Sequence, residues 1–180
     1  SLRTQSFLNT ASVLGAGTQG AISQVFNQRV SSIKSAFLAF ASTQADSNLW
    51  GDSADITSGN GSYSLTIAGQ NVPQVPYNTA TSKNGNIYDK NNNFSINSIE
   101  WNLNDGVATT MAEPAKFFLG VDCDRVNSDF FMSGLSSQSS AISANIQLGT
   151  ALVDAHNVSL ILNYDAVLEI SMDGQAALRM

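Results

Sequence analysis

Four stretches of this sequence combine residue types and spacings that could do chemistry. The first is Gly15-Ala16-Gly17-Thr18-Gln19-Gly20, which has the G-x-G-x-x-G spacing of a dinucleotide-binding loop. In such a loop a tight turn presents backbone N–H groups and a helix N-terminus to a pyrophosphate. The loop belongs to a βαβ unit, with an acidic residue about twenty positions on that holds the ribose. Ile33 to Phe40 occupy that stretch and contain no carboxylate. The expectation is a flexible glycine-rich arm and no nucleotide cofactor.

The second imitates a calcium loop. Asp89, Asn91, Asn93, Ser95, Asn97 and Glu100 stand at its ligand positions, and Ile96 at its aliphatic one. Position six of such a loop is glycine, because the chain turns sharply there; here it is Phe94. Lys83-Asn84-Gly85-Asn86 stand where an entering helix is required. The metal candidates Asp89, Asn91, Asn93 and Glu100 are therefore read as an Asn-rich surface loop. The third is His156, the one histidine, two residues after Asp154. A Ser-His-Asp site needs its members to meet only in space, but no serine here sits in a G-x-S-x-G elbow. His156 is expected to be a solvated residue before a strand, without a catalytic role. The fourth, Asp122-Cys123-Asp124, could grip a divalent ion and is read instead as the polar end of a strand. A lone Cys forms no internal disulfide, and one Cys with one His makes no zinc site unless carboxylates supply most ligands.

Those residues must be positioned by a chain of 180 residues, a length that suits one domain with its own core. Charged residues are only 12% of it, about half of common usage, while Ser, Thr, Asn and Gln fill 64 positions. Glu and Lys, which usually coat exposed helix faces, occur three and four times, so helical bundles are poor candidates. The net charge of −6 and the scatter of the eight basic residues argue against nucleic acid as a partner. No apolar stretch approaches the roughly 18 residues that span a bilayer. The chain opens at Ser1 without a Met, which leads us to expect a longer product.

Alternation points to strands. Ile22 to Phe40 fits either a helical stripe or two strands; the rest of the chain favours strands. Ser62 to Ala68 alternates after Gly59-Asn60-Gly61 and stops at Gly69. Phe94 to Leu103, Lys116 to Val121, Ala141 to Leu148, Val158 to Leu162, Val167 to Ile170 and Ala176 to Arg179 complete the set. The expected fold is all-β, an antiparallel two-sheet jelly-roll sandwich of about eight strands. Residues 1–21 are expected to be a flexible arm or inter-domain linker and 22–180 the single jelly-roll domain. The expected core is Phe37, Leu65, Ile67, Ile99, Trp101, Phe118, Leu119, Ile146, Leu160, Leu168 and Ile170.

The order of these pieces resembles the C-terminal jelly roll of double jelly-roll major capsid proteins of the virophage and polinton-like virus group. Val25 to Phe40 looks like the strand pair that opens that barrel. Tyr63 to Gly69, with Pro73 and Pro76, is similar to its strand, glycine turn and twin-proline loop. Phe117 to Asp122 and Ser133-Gly134 resemble its central strand and the turn after it, and Ile142 to Leu148 and Tyr164 to Ile170 its closing strands. The resemblance implies a structural protein of the virion, not an enzyme, whose trimers tile an icosahedral shell. Its implied partners are its own copies, neighbouring capsomers, and penton or minor capsid proteins, with no direct nucleic acid and no membrane insertion. Loops around Asp46 to Gly61 and Asn84 to Asn93 would lie at one end of the barrel. Two other classes stay open: a soluble carbohydrate- or protein-binding sandwich using Trp50, Tyr77, Tyr88 and Trp101, and a hydrolase assembled around His156.

Overall fold

The computed structural model describes residues 2–43, 56–57, 60–78, 118–123, 134–170 and 176–179. The described elements are nine strands: β1 (Leu2–Leu14), β2 (Gly20–Phe26), β3 (Ile33–Ser42), β4 (Gly61–Ile67), β5 (Gln70–Asn78), β6 (Phe118–Asp122), β7 (Ile142–Leu148), β8 (His156–Ile170) and β9 (Ala176–Arg179). They form two antiparallel sheets. One has the order β1-β8-β3-β6, with β9 pairing the far end of β8; the other has the order β2-β7-β4-β5. Val167 and Leu168 pair with β1 on one edge and β9 on the other, so β9 continues the sheet beyond the start of β3.

The pairing is nested. β1 lies on β8, β2 on β7, β3 on β6 and β4 on β5. A long hairpin folded at the β4–β5 turn and wrapped around a core produces this order, which is the jelly roll. The tip is a two-residue turn: Ile67 pairs with Gln70, and Ala68 and Gly69 have φ of 54° and 74°. Positive φ at both central positions makes it type I′, whose twist suits an antiparallel pair.

Inward positions recur with period two, as a half-buried strand requires. Val158, Leu160, Leu162, Tyr164 and Ala166 of β8 face Ile142, Ala144, Ile146 and Leu148 of β7, and all are buried. Phe40 of β3 stacks on Tyr63 of β4 across the sandwich, ring centroids 5.2 Å apart. Leu65, Ile67, Leu119, Ile146 and Leu160 lie in the core as expected. Phe37 does not. The register of β3 shifts between Ile33 and Ser35, and this bulge moves Ala36, Leu38 and Phe40 inward. A one-residue slip exchanges the two faces of a strand. Leu168 is half-buried, and Ile170, at the end of β8, is 64% exposed. Ile99, Trp101 and the side chain of Phe118 lie outside the described residues.

The reading of 1–21 as an arm or linker is corrected. Leu2–Leu14 is the longest partner of β8, and Gly20 and Ala21 already belong to β2. Backbone pairing along the whole of β1 holds it in the sheet although only Leu8 and Leu14 among Thr4–Leu14 turn large apolar side chains inward. Tyr164-Asp165, expected to separate two strands, lies within the single strand β8. The twin prolines interrupt β5: Pro73 to Pro76 bulge out between residues that pair with Leu65 and Tyr63, because proline has no N–H for the ladder.

Candidate functional site

The glycine-rich stretch joins β1 to β2, strand to strand, so its residues do not open a helix. Gly17 and Gly20 have φ of 79° and 82°, which glycine adopts without strain. Two of its N–H groups are used: Gly17 donates to the Leu152 carbonyl at 2.8 Å, and Thr18 to that of Gly15. Leu152 N–H returns a bond to Thr18 O at 2.9 Å. The turn is therefore sewn to the β7–β8 connection, and neither of these donors is free for a phosphate.

His156 is the first residue of β8 and half-buried, flanked by Leu14 and Ser42 in register. Its Nδ1 lies 2.9 Å from the Asp154 backbone carbonyl, which can only accept, so Nδ1 carries the proton of that bond. The Asp154 contact is thus main-chain, unlike the carboxylate contact of a triad. Asp122 ends β6 exposed, whereas Cys123 beside it is buried and donates its N–H to Lys34 O. Asp124 lies outside the described residues, as do Asp89, Asn91, Asn93, Glu100, Trp50, Tyr88 and Trp101. Among the described residues no three His, Cys, Asp or Glu side chains cluster as metal ligands. No helix there is long and apolar enough to cross a membrane.

Tyr77 does not offer a sugar-stacking ring. It is buried at the end of β5, and its hydroxyl pKa is pushed up to about 12. Burial is the main cause, and the charges of Asp122 and Cys123 add to it.

The polar chemistry that is present ties the sandwich together. Ser32 Oγ donates to the buried carboxylate of Asp165 at 2.9 Å and accepts from Gly134 N–H at 3.2 Å. Ser137 Oγ donates to Gln28 O and accepts from Val30 N–H. These bonds lock the β2–β3 connection onto the stretch before β7, two segments that cross between sheets at the same end. On the outer face of the four-stranded sheet, Ser23 Oγ donates to Asn145 Oδ1 at 3.0 Å. Asn145 Nδ2 donates to Thr66 Oγ1, and Thr66 Oγ1 to Asn71 Oδ1, each at 2.8 Å. One residue from each of β2, β7, β4 and β5 thus joins a single donor-to-acceptor chain.

The outer side formed by β1 and β2 is different. From Thr4 to Gln28 the sequence carries no charged residue, and Phe7, Val13 and Val25 are 67%, 59% and 50% exposed. Sequence reasoning missed this side because both faces of Thr4–Leu14 mix apolar and polar residues: Phe7 and Val13 turn outward with Gln5 and Asn9, and Leu8 and Leu14 inward with Ser6, Thr10 and Ser12. The charge-free run was the legible clue. What these groups can do chemically is bind surfaces through backbone hydrogen bonds and apolar contact. Comparison with models of known protein families finds no match to this chain, and comparison with curated proteins finds none.

Proposed function

We propose that this chain is a structural unit of a viral major capsid protein, the C-terminal jelly roll of a subunit that assembles into trimeric capsomers. The observation that carries the reading is the nested strand order, β1-β8-β3-β6 over β2-β7-β4-β5. A coat subunit needs a rigid sandwich whose strands are fixed and whose surfaces tolerate many identical neighbours. The low charge density supports this, since like-charge repulsion between copies is then small. The step from fold to role is an analogy of fold joined to surface composition. Burial of Tyr77 removes one of the aromatics that favoured a carbohydrate-binding sandwich.

Size-exclusion chromatography with light scattering tests the proposal, with electron microscopy of the same sample. Trimers or larger closed assemblies are expected. A chain that stays at its monomer mass of 19.0 kDa at high concentration overturns it.

A further inference from the structure

Among the described residues the edge strands of the two sheets, β1, β6 and the four-residue β9 in one and β2 and β5 in the other, are not equivalent. β5 is interrupted by its Pro73-to-Pro76 bulge, and β6 has five residues and ends at Asp122. Prolines, bulges, charges and short strands are the devices that keep sheet edges from pairing with other chains. β1 and β2, the edges on the opposite side, have none of them between Thr4 and Phe26. β1 runs for 13 residues, and in an antiparallel edge strand every second residue points its N–H and C=O away from the sheet. Among the described residues no strand pairs with the outer edge of β1 or β2.

We infer that the β1–β2 side is a self-association surface, on which a second copy of this chain docks edge to edge. The inference rests on the capsid reading and names a contact surface for that assembly. An extended strand is the complement of an open edge, and each copy brings two such strands to the contact. Charge permits a copy as the occupant. The chain has a net charge of −6, so two copies repel wherever their carboxylates meet. The side from Thr4 to Phe26 brings none together. Its size also fits. At about 3.3 Å per residue the two edges run roughly 43 and 23 Å, and strips about 10 Å wide give roughly 650 Å². A standard interface uses about 800 Å² per partner, and the projecting Phe7, Val13 and Val25 extend the contact beyond the edges.

The test compares the full chain with a Phe7→Lys/Val13→Lys/Val25→Lys variant by light scattering over a concentration series. The control is Val75→Lys, which charges a valine that is 78% exposed on β5, the edge on the opposite side. Wild type and control should assemble alike, while the triple variant keeps its circular dichroism and thermal midpoint and drops at least one level of assembly. Assembly of the triple variant equal to wild type overturns this surface and leaves the capsid reading standing. A monomeric wild type overturns both. Hydrogen exchange on the wild type removes any doubt about variant folding: amides in Thr4–Leu14 and Ala21–Val25 should gain protection as concentration rises. Assembly without that gain also overturns the inference.

Discussion

The four-stranded sheet and the larger sheet bury similar apolar faces but differ in charge. β2, β4, β5 and β7 contain no Asp, Glu, Lys, Arg or His, whereas the larger sheet holds Arg3, Lys34, Asp122, His156, Asp165, Glu169 and Arg179 in its strands. The neutral sheet covers its outer face with the Ser23–Asn145–Thr66–Asn71 chain, whose members satisfy one another. The larger sheet instead buries one carboxylate, Asp165, and holds it with Ser32. Two ways of finishing a sheet therefore coexist around one core. Neutral hydrogen bonds carry no Coulomb cost of burial, while a buried carboxylate depends on each donor it keeps.

If the core is common to both sheets, truncation on either side should hurt equally. Leu160→Ala in β8 and Ile146→Ala in β7 remove side chains that are almost fully buried. Each should cost about 2–5 kcal/mol in urea denaturation, the range for a core aliphatic reduced to Ala. A single cooperative transition is expected for both. A two-step transition in either variant would break the picture of one core.

The next effect isolates the larger sheet. Ser32→Ala deletes a donor to a buried carboxylate and the acceptor of Gly134 N–H. Hydrogen bonds to charged groups are worth about 1.5–3 kcal/mol, so the loss should fall there. Equal stability of Ser32→Ala and wild type would show that Asp165 needs no donor from this residue.

How much of this was legible in the sequence depended on whether local pattern and tertiary role agreed. β4, β7 and the first half of β8 alternate strictly, with Tyr63, Leu65 and Ile67 or Ile142, Ala144, Ile146 and Leu148 inward, and these were readable. β1 was not, because its backbone pairing with β8 fixes it more than its side chains do. The face of β3 was misread because a bulge at its start reverses the parity, which leaves no mark in residue types. Ser32 and Asp165 are 133 positions apart in sequence, and Ser23 and Asn145 are 122 apart, so neither pairing has a local signature.

Tyr77 carries the pH dependence at the boundary between sheets. Its pKa is raised from 10.0 to about 12 in the fold, chiefly by burial and then by Asp122 and Cys123. Below pH 10 the phenol is neutral in both states, and its contribution is fully present. Between pH 10 and about 12 the unfolded chain loses the proton while the folded chain retains it, so stability falls across that window. Wild type should lose stability relative to Tyr77→Phe as pH rises through this range, measured by urea midpoints. Parallel pH curves for the two proteins would refute the assignment.

Asn145→Ala cuts the neutral chain in the middle and removes two of its bonds. The expected cost is about 1 kcal/mol, because these groups are partly open to water and regain hydration. No charge takes part, so the cost should be the same at low salt and near 1 M, unlike that of an exposed ion pair. A cost that shrinks with salt would mean that the four-stranded sheet is not finished by neutral bonds alone.

The smallest effect has the opposite sign and sits at the tip of the wrapped hairpin. Ala68 has φ of 54°, and its neighbour Gly69 has φ of 74°. An L-residue with a Cβ meets its following carbonyl in this region, at a cost of roughly 1–2 kcal/mol. Asn tolerates it better, and Asn-Gly is the preferred pair for a type I′ turn. Gly would relieve the clash as well but adds unfolded-state entropy, which offsets part of the gain. Ala68→Asn should therefore stabilise the protein by about 0.5–1 kcal/mol, and Ala68→Gly by less, read as an upward shift in urea midpoint. Because the Ile67–Gln70 pair closes the turn, the substitution leaves both sheets' registers untouched. Destabilisation by Asn would mean that the tip is not a type I′ turn, and the register of β4 on β5 would have to be redrawn.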